Sequence, residues 1–443
     1  MILQAKLSGK KIDFNPEFRK AISIVESSHE NLFITGKAGT GKSTLLSHWK
    51  GTTSKRIAVL APTGVAALNV GGQTIHSFCR FKPDITPENV KKLEDVSHAT
   101  RNMYLSLDTI VIDEISMVRA DLLDCLDRFM RLNGGNPAEP FGGVQMVFIG
   151  DLYQLPPVVT SDEQEIFREH YKSPYFFESK AFNELEMNFI ELKRFYRQSD
   201  MEFIRLLNAI RDNTATAADL EKLNSRLDPD FNEVFAPDSY ITLTATNASA
   251  DNNNNGRLKR LPTAIHRYRA TITGNFNKKA YPADEILEVK EGAQVMMLTN
   301  DSEKRWVNGS LGNVVSFESD PEGREGIVVQ LSDGERVSVH PHTWETSKLS
   351  YDSANKKLVS MKMGSFTQYP MMLAWAVTIH KSQGKTFDHV VIDVGDGTFA
   401  HGQLYVALSR CTSLHGIVLR RKLQMKHIIT DGRIAEFHKE HFG

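Results

Sequence analysis

The sequence predicts an α/β protein in which two stretches of alternating strands and helices flank a small antiparallel barrel. Short apolar runs alternate with helical patterns up to about residue 265, and again after about residue 358. Between them, His266 to Leu358 contains short alternating strands with turn pairs such as Asn308-Gly309 and Asp333-Gly334. The first α/β stretch also contains a glycine-rich turn between a strand and a helix, which indicates a ligand site.

That turn runs from Gly36 to Ser43 and matches the phosphate-binding pattern G-x-x-x-x-G-K-S. Glycines let successive backbone N–H groups surround a polyphosphate, and the following helix adds partial positive charge. Lys42 is expected to contact the β- and γ-phosphates, and the Ser43 hydroxyl to ligate Mg²⁺. A turn without a ligand is the alternative, which the flanking strand and helix disfavour. The residues predicted to bind a nucleoside triphosphate here are Gly36, Ala38, Gly39, Thr40, Gly41, Lys42, Ser43 and Thr44.

Two later strands end in polar side chains that suit phosphoryl chemistry. The run from Leu107 ends in Asp113 and Glu114. We expect Asp113 to hold Mg²⁺ through its water shell, and Glu114 to orient and deprotonate the attacking water. The apolar run from Val144 to Ile149 is followed by Gln154. Gln154 is predicted to sense the γ-phosphate and to transmit the loss of that group to a neighbouring loop.

Composition limits the other possibilities. The chain has 443 residues, 41% of them hydrophobic, with a net charge of −1, so several domains are expected and any nucleic-acid partner needs a local basic channel. Three widely spaced cysteines favour reduced thiols over a disulfide framework. No apolar run approaches the roughly 18 residues of a membrane span. The N-terminus has no secretory pattern, so we expect a cytoplasmic protein (nucleoid-associated if bacterial) with no membrane partner.

Three segments complete the reading of the chain. Phe81 to Thr100 is polar and contains prolines, which suggests a small excursion from the first sheet. Ala374 to Ile379 is predicted to be helical. Gly402 to Leu408 is predicted to be a helix that leads into Arg410.

Seven motifs are found along the chain. In order, they are Gly-Lys-Ala-Gly-Thr-Gly-Lys-Ser, Ala-Pro-Thr-Gly-Val-Ala-Ala, Ile-Asp-Glu-Ile-Ser-Met, Gly-Asp-Leu-Tyr-Gln-Leu-Pro-Pro-Val, Tyr-Arg-Gln, His-Lys-Ser-Gln-Gly-Lys-Thr-Phe and Tyr-Val-Ala-Leu-Ser-Arg. This is the order of the motifs in superfamily 1 helicases. The chain resembles the petite-integration-frequency (PIF) family, the RecD-related group of DNA helicases, from about Phe14 to Leu419. The run from Glu114 through Arg131 is similar to that family's signature segment.

The resemblance implies two RecA-like P-loop domains, with a small wedge insertion in the first and a small β-barrel inserted in the second. Their expected limits are 1–190 (wedge 80–100), 191–265 plus 359–443, and 266–358 for the barrel. It also implies ATP and Mg²⁺ as cofactors and 5′ to 3′ movement on single-stranded DNA. The expected substrates are duplex, forked or G-quadruplex DNA, unwound by a monomer.

Residue roles follow from the same resemblance. The implied catalytic residues are Lys42, Glu114, Gln154, Arg197 and Arg410, the two arginines reaching the γ-phosphate. Gly384 is implied in nucleotide binding. The implied DNA contacts are Thr63, Gly64, His76, Ser77, Phe78, Pro156, Asn247, His380, Lys381 and Ser382. Taken singly, such residues are more often structural, and Phe78 fits the core as well as a base-stacking surface. Phe18 departs from the family pattern, which has an adenine-reading glutamine there.

Other classes remain open from the residues alone. A P-loop small-molecule kinase would need one compact α/β domain and a lid, which the repeated α/β pattern disfavours. A DNA-binding ATPase that does not unwind would keep every motif.

Overall fold

The computed structural model describes residues 6–7, 10–11, 14–82, 84–94, 96–159, 167, 169–196, 200–232, 240–319, 325–352, 357–393, 395 and 400–442. The chain divides into two compact units. The first is Met1–Tyr196 with Thr346–Met363 and Arg433–Gly443, and the second is Arg197–Glu345 with Gly364–Gly432. In the part of the chain that is described, no helix is long and apolar enough to cross a membrane.

The strands are numbered in chain order. They are β1 (Lys6–Leu7), β2 (Lys10–Lys11), β3 (Asn31–Gly36), β4 (Ile57–Ala61), β5 (Gln73–Thr74), β6 (Thr109–Ile112), β7 (Gln145–Ile149), β8 (Met187–Leu192), β9 (Ile241–Thr244), β10 (His266–Arg269), β11 (Thr271–Gly274), β12 (Ile286–Val289), β13 (Gln294–Met297), β14 (Leu311–Ser319), β15 (Glu325–Leu331), β16 (Arg336–Val339), β17 (His342–Asp352), β18 (Lys357–Gln368), β19 (Met371–Leu373), β20 (Ala376–Thr378), β21 (Val390–Asp393) and β22 (Ile417–Leu419).

The helices are named by their limits. The α-helices are Pro16–Ser27, Lys42–Thr52, Gly64–Asn69, Ile75–Cys79, His98–Leu105, Ala120–Asn133, Lys180–Asn183, Met201–Arg211, Ala217–Asn224, Asn247–Arg260, Gln403–Leu408 and Gly432–Phe442. Short 3-10 turns are Pro87–Asn89, Ile115–Met117, Pro140–Gly143, Phe176–Glu178, Lys278–Ala280 and Met425–His427.

The first unit is built on a six-stranded sheet in the order β5-β4-β6-β7-β3-β8. All of its pairings are parallel. Its central strands are apolar and buried on both faces, as expected where helices cover a parallel sheet. The core on one face brings together Phe18, Leu45, Trp49 and the sheet residues Val111 and Val147. Because the strands run parallel, the loops that follow them lie at one edge of the sheet.

The first unit extends further than the predicted limit at residue 190. Strand β8 continues to Leu192 and pairs with β3 along its whole length. The C-terminal helix, predicted to lie in the second domain, packs on the first unit. Phe437 stacks on Phe177 with ring centroids 4.7 Å apart, and His441 stacks on Phe189 at 4.0 Å.

The second unit has a four-stranded parallel sheet in the order β20-β9-β21-β22. The prediction of a helix at Ala374–Ile379 is wrong, because β20 pairs there with β9, Ala376 opposite Thr242. A short apolar run suits a buried strand as well as a buried helix, and periodicity alone does not separate them.

The barrel region contains a five-stranded antiparallel sheet in the order β16-β15-β14-β13-β19. Its core includes Val295, Met297, Val314, Val329 and Val337. Strand β14 contains a bulge between Val314 and Ser316, which increases the local twist. The sheet includes β19, so it extends past the predicted limit at Leu358.

Candidate active site

The phosphate loop joins β3 to the helix Lys42–Thr52. Gly39 and Gly41 have φ of +82° and +90°, a region that only glycine enters without strain. Lys42 Nζ donates hydrogen bonds to the carbonyl oxygens of Gly36, at 2.5 Å, and of Lys37, at 3.2 Å. The ammonium group therefore lies over the loop itself, where a bound phosphate would offer it a full negative charge.

Two aromatic side chains brace this loop. A Cβ placed on Gly41 would lie 3.2 Å from Cζ of Phe18 and 3.6 Å from Cδ2 of Tyr196. The Tyr196 N–H donates to the Gly39 carbonyl at 2.9 Å, and Asn15 Nδ2 donates to the Tyr196 hydroxyl at 3.4 Å. Phe18 is buried and offers no polar edge. The contact of Tyr196 with the loop was not predicted from the sequence, because Gly41 and Tyr196 lie 155 positions apart in the chain.

Asp113 and Glu114 follow β6, which lies next to β4 and β7 in the sheet. Asp113 is buried, and its N–H donates to the Leu60 carbonyl at 2.9 Å. Burial, and then the neighbouring Glu114 carboxylate, raise the pKa of Asp113 to about 7, whereas Lys42 lowers it. The electrostatic influence of Lys42 on Asp113 means that the predicted phosphate-loop lysine and strand-end acid share one site.

Glu114 has φ of +51° and ψ of +43°. This left-handed conformation is uncommon for a residue other than glycine, and such strain concentrates at functional sites. The strained backbone at the end of β6 therefore marks Glu114 as a candidate functional residue.

The side chains predicted to hold Mg²⁺ fit that ion. Ser43 is exposed at the start of the helix that follows the loop, and Asp113 supplies a buried carboxyl group. Hydroxyl and carboxylate oxygens are ligands that Mg²⁺ prefers, together with phosphate oxygens of a nucleotide. A divalent cation would also stabilise the ionised form of Asp113, which burial disfavours.

Gln154 follows β7 and is held by an acid that the sequence analysis missed. Asp151 is buried, and its Oδ2 accepts a hydrogen bond from Gln154 Nε2 at 3.2 Å. Its Oδ1 accepts from the Tyr153 N–H at 3.2 Å. Asp151 therefore orients the Gln154 amide. Its position just after an apolar strand, like that of Asp113, is the signal that could have revealed it.

Arg410 lies in the second unit, just after the helix Gln403–Leu408. Its side chain is 1% exposed, so it is not a surface cation at a helix end. Its guanidinium group donates to Val406 O at 2.9 Å and to Ser409 Oγ at 2.8 Å. It also donates to the carbonyls of Ser382, at 3.4 Å, and Lys385, at 3.3 Å. Gly384 lies on that same loop. Arg197, the other predicted arginine, lies outside the described residues.

Most of the predicted DNA contacts lie just beyond strand ends. Thr63, Ser77, Asn247, His380 and Lys381 are exposed. Thr63 and Ser77 follow β4 and β5 of the first unit, and their loops lie at the carboxyl edge of its parallel sheet. The other three residues follow β9 and β20 of the second unit, at the carboxyl edge of its own parallel sheet. Gly64, His76 and Pro156 are half-buried.

His76 also lines a cavity of about 750 Å³ in the first unit, together with Arg119 and Asp121. Burial lowers the pKa of His76, so the ring is held neutral in the neutral pH range.

The structure contradicts two of the predicted DNA contacts. The Phe78 ring is buried and meets Tyr104 edge-to-face at 5.3 Å, so it belongs to the core and is not available to stack on a base. The Ser382 hydroxyl is also buried and donates to the Ile379 carbonyl at 2.7 Å, so it stabilises its own loop.

Together, the phosphate loop and the strand-end acids define a P-loop nucleotide-binding protein. Residues 15–221 match the model of the PIF1-like helicase family, and residues 373–418 match that of the UvrD-like helicase C-terminal domain. The chain belongs to the PIF1-like helicase family. This confirms the resemblance drawn from the motifs.

Solved structures and curated relatives agree with this family assignment. The crystal structure of Bacteroides sp Pif1 in complex with ADP-AlF4 is 37% identical, covers 97% of each chain and has a TM-score of 0.87. It confirms the predicted pair of RecA-like domains. The Homo sapiens ATP-dependent DNA helicase PIF1 is 34% identical over 88% of this chain and 58% of its own length. Campylobacter jejuni Pif1 is 29% identical over 94% of this chain and 95% of its own. The chain thus spans about three-fifths of the human protein.

Proposed function

We propose that this chain is an ATP-dependent DNA helicase that moves 5′ to 3′ on single-stranded DNA. The observation that carries the proposal is the convergence of three loops at one sheet edge. The phosphate loop with Lys42, the Asp113–Glu114 pair and the Asp151-held Gln154 follow β3, β6 and β7, and β7 lies between the other two. This is the set of groups that nucleotide hydrolysis requires.

The residues have distinct parts in hydrolysis. Lys42 places a positive charge on the β- and γ-phosphates, with the loop N–H groups around them. Mg²⁺, bound through Ser43 and Asp113, would supply further positive charge to the phosphate oxygens. Glu114 accepts the proton of the attacking water, and Gln154 senses the γ-phosphate.

Two arginines complete the proposed site. Arg410 and Arg197 are proposed to stabilise the charge that develops on the transferring phosphoryl group. Support for Arg410 comes from its rigid environment, since four hydrogen bonds fix its guanidinium group. A preorganised cation stabilises a transition state without reorganisation at the moment of reaction.

DNA binding is proposed at the exposed loops that follow β4, β5, β9 and β20. Thr63 and Ser77 offer hydroxyl groups, Lys381 offers a charge, and His380 offers a ring that stacks on any base. Such contacts grip the backbone with little sequence preference. A crystal structure of Bacteroides Pif1 bound to single-stranded DNA supports this substrate class. So does a structure that describes DNA unwinding at forked duplex DNA by two coordinating Pif1 helicases. Direction, G-quadruplex unwinding and action as a monomer are proposed from the family resemblance.

Strand separation tests this proposal. A duplex with a 5′ single-stranded tail is expected to be unwound in the presence of ATP and Mg²⁺, because the protein loads on the tail and moves toward the duplex. A duplex of identical sequence with only a 3′ tail, and a blunt duplex, serve as matched controls and are expected to remain paired. The measurement is strand release followed by fluorescence.

Unwinding of only the 3′-tailed duplex would overturn the direction. ATP hydrolysis stimulated by the tail without any strand release would identify a DNA-binding ATPase that does not unwind.

A further inference from the structure

Lys385 has no part in the hydrolysis or DNA binding proposed above, but it connects the barrel to the loop that follows β20. Lys385 Nζ donates a hydrogen bond to Oδ1 of Asn308, in the turn before β14. A Cβ placed on the next residue, Gly309, would lie 3.5 Å from Cβ of Lys385, so the lysine stem packs against this turn. Burial lowers the pKa of Lys385 to about 8. The Asn308 amide oxygen offers the buried ammonium a hydrogen bond in place of water.

The turn that receives Lys385 is itself held by the barrel core. The Gly309 N–H donates to the carbonyl of Met297 at 2.8 Å, and the Asn308 N–H donates to Oδ1 of Asn300 at 2.8 Å. Met297 lies in β13 with its side chain fully buried. Asn308 is therefore a fixed point of the barrel and not a mobile loop tip.

At its other end, Lys385 contacts Arg410. The Lys385 carbonyl accepts a hydrogen bond from Nη1 of Arg410 at 3.3 Å, and the Phe387 N–H donates to the Arg410 carbonyl at 2.9 Å. The preceding residue, Gly384, has φ of +79°, and a Cβ there would meet nothing within 4 Å. The Lys385 N–H also donates to the Ser382 carbonyl at 3.0 Å. Since Gly384 has no side chain to hold the loop, the side-chain anchor at Lys385 adds to these backbone bonds in fixing where this acceptor of Arg410 lies.

We propose that Lys385 is a positioning residue through which the barrel holds Arg410 in its productive geometry. The proposal rests on the proposed function, because it assumes that Arg410 acts on the transferring phosphoryl group. In this proposal Lys385 acts through Arg410 and not on the nucleotide itself. Hydrogen bonds link β13 to the barrel turn, the turn to Lys385, and Lys385 to Arg410. The barrel turn and the arginine are therefore held together within the second unit.

The test compares Lys385→Met, which keeps the stem and removes the amine, with Asn308→Ala, which leaves the lysine intact. Both variants are expected to lower kcat of DNA-stimulated ATP hydrolysis about tenfold, since a misplacement of about 1 Å can cost up to 10²-fold. KM for ATP and the affinity for single-stranded DNA are expected to stay within about twofold, because only transition-state interactions are lost. The double variant is expected to match either single variant, since both remove one bond.

Lys304→Met, at an exposed lysine of the same barrel loop, is the matched control and should behave as wild type. Wild-type kcat in Lys385→Met would overturn the positioning role. So would a kcat loss in Lys385→Met that Asn308→Ala does not share, because the lysine would then act on DNA or nucleotide directly. An equal fall in kcat and in the folded fraction, measured by circular dichroism, would assign the bond to stability alone. Absence of DNA-stimulated hydrolysis in the wild type would instead refute the proposed function.

Discussion

Lys42→Ala is expected to abolish tight ATP binding and all strand separation. The Lys42 ammonium donates to the Gly36 and Lys37 carbonyls of the phosphate loop, and it is the group expected to contact the β- and γ-phosphates. Removing a preorganised charge-stabilising donor typically costs about 10²- to 10³-fold in rate. DNA-stimulated hydrolysis in the variant should therefore fall by at least that factor, measured by phosphate release at saturating DNA.

Lys20→Ala is the matched control for this variant, since Lys20 is exposed on the helix Pro16–Ser27. It should bind and hydrolyse ATP as the wild type does. Folding of Lys42→Ala should be little changed, because the Gly36 and Lys37 carbonyls lose one donor at a half-buried site, a cost of about 0.5–1.5 kcal/mol. Retained DNA-stimulated hydrolysis in Lys42→Ala would refute the assignment of the phosphate loop.

Arg410→Lys is expected to reduce DNA-stimulated turnover by about 10³- to 10⁵-fold, the range attributed to an arginine that stabilises a transferring phosphoryl group. Lysine keeps the charge, but it loses the planar fork that bonds Val406, Ser409 and the 382–385 loop at once. Binding of ADP should persist. The buried position adds a stability loss of about 1–3 kcal/mol for acceptors left without a donor, measured by urea unfolding.

Arg421→Lys provides the control, because Arg421 is exposed and its contact with Asp393, at 3.9 Å, is a weak surface pair. Turnover should be unchanged in that variant. Near-wild-type turnover in Arg410→Lys would show that Arg410 has only a structural role. A loss of turnover that is fully explained by a smaller fraction of folded protein would show the same.

The nucleotide site was largely predictable because its signals are local. Glycines at 39 and 41 are required by positive φ angles, and those angles produce the loop that the pattern encodes. Asp113 and Glu114 end a run of apolar β-branched residues, so both the strand and the position of its end could be read directly. Parallel pairing then places the ends of β3, β6 and β7 together without further information.

What the sequence could not indicate depends on tertiary contacts. Ala376–Thr378 is too short for periodicity to separate strand from helix, and its pairing with β9 decides the outcome. Phe78 is apolar in a loop-helix segment, and only its packing on Tyr104 shows that it is core. The C-terminal helix is separated from Phe177 by more than 250 residues, and no local pattern reveals that the Phe437 ring stacks there.

The central claim is that one site couples ATP hydrolysis to DNA, and the rate of ATP hydrolysis with and without single-stranded DNA tests it most directly. With Mg²⁺ and saturating ATP, adding a single-stranded oligonucleotide of mixed sequence should raise turnover, because DNA binding and hydrolysis are coupled in this account. Addition of the same sequence as a blunt duplex should raise it far less. Turnover that is equal in the absence and presence of single-stranded DNA would contradict the account.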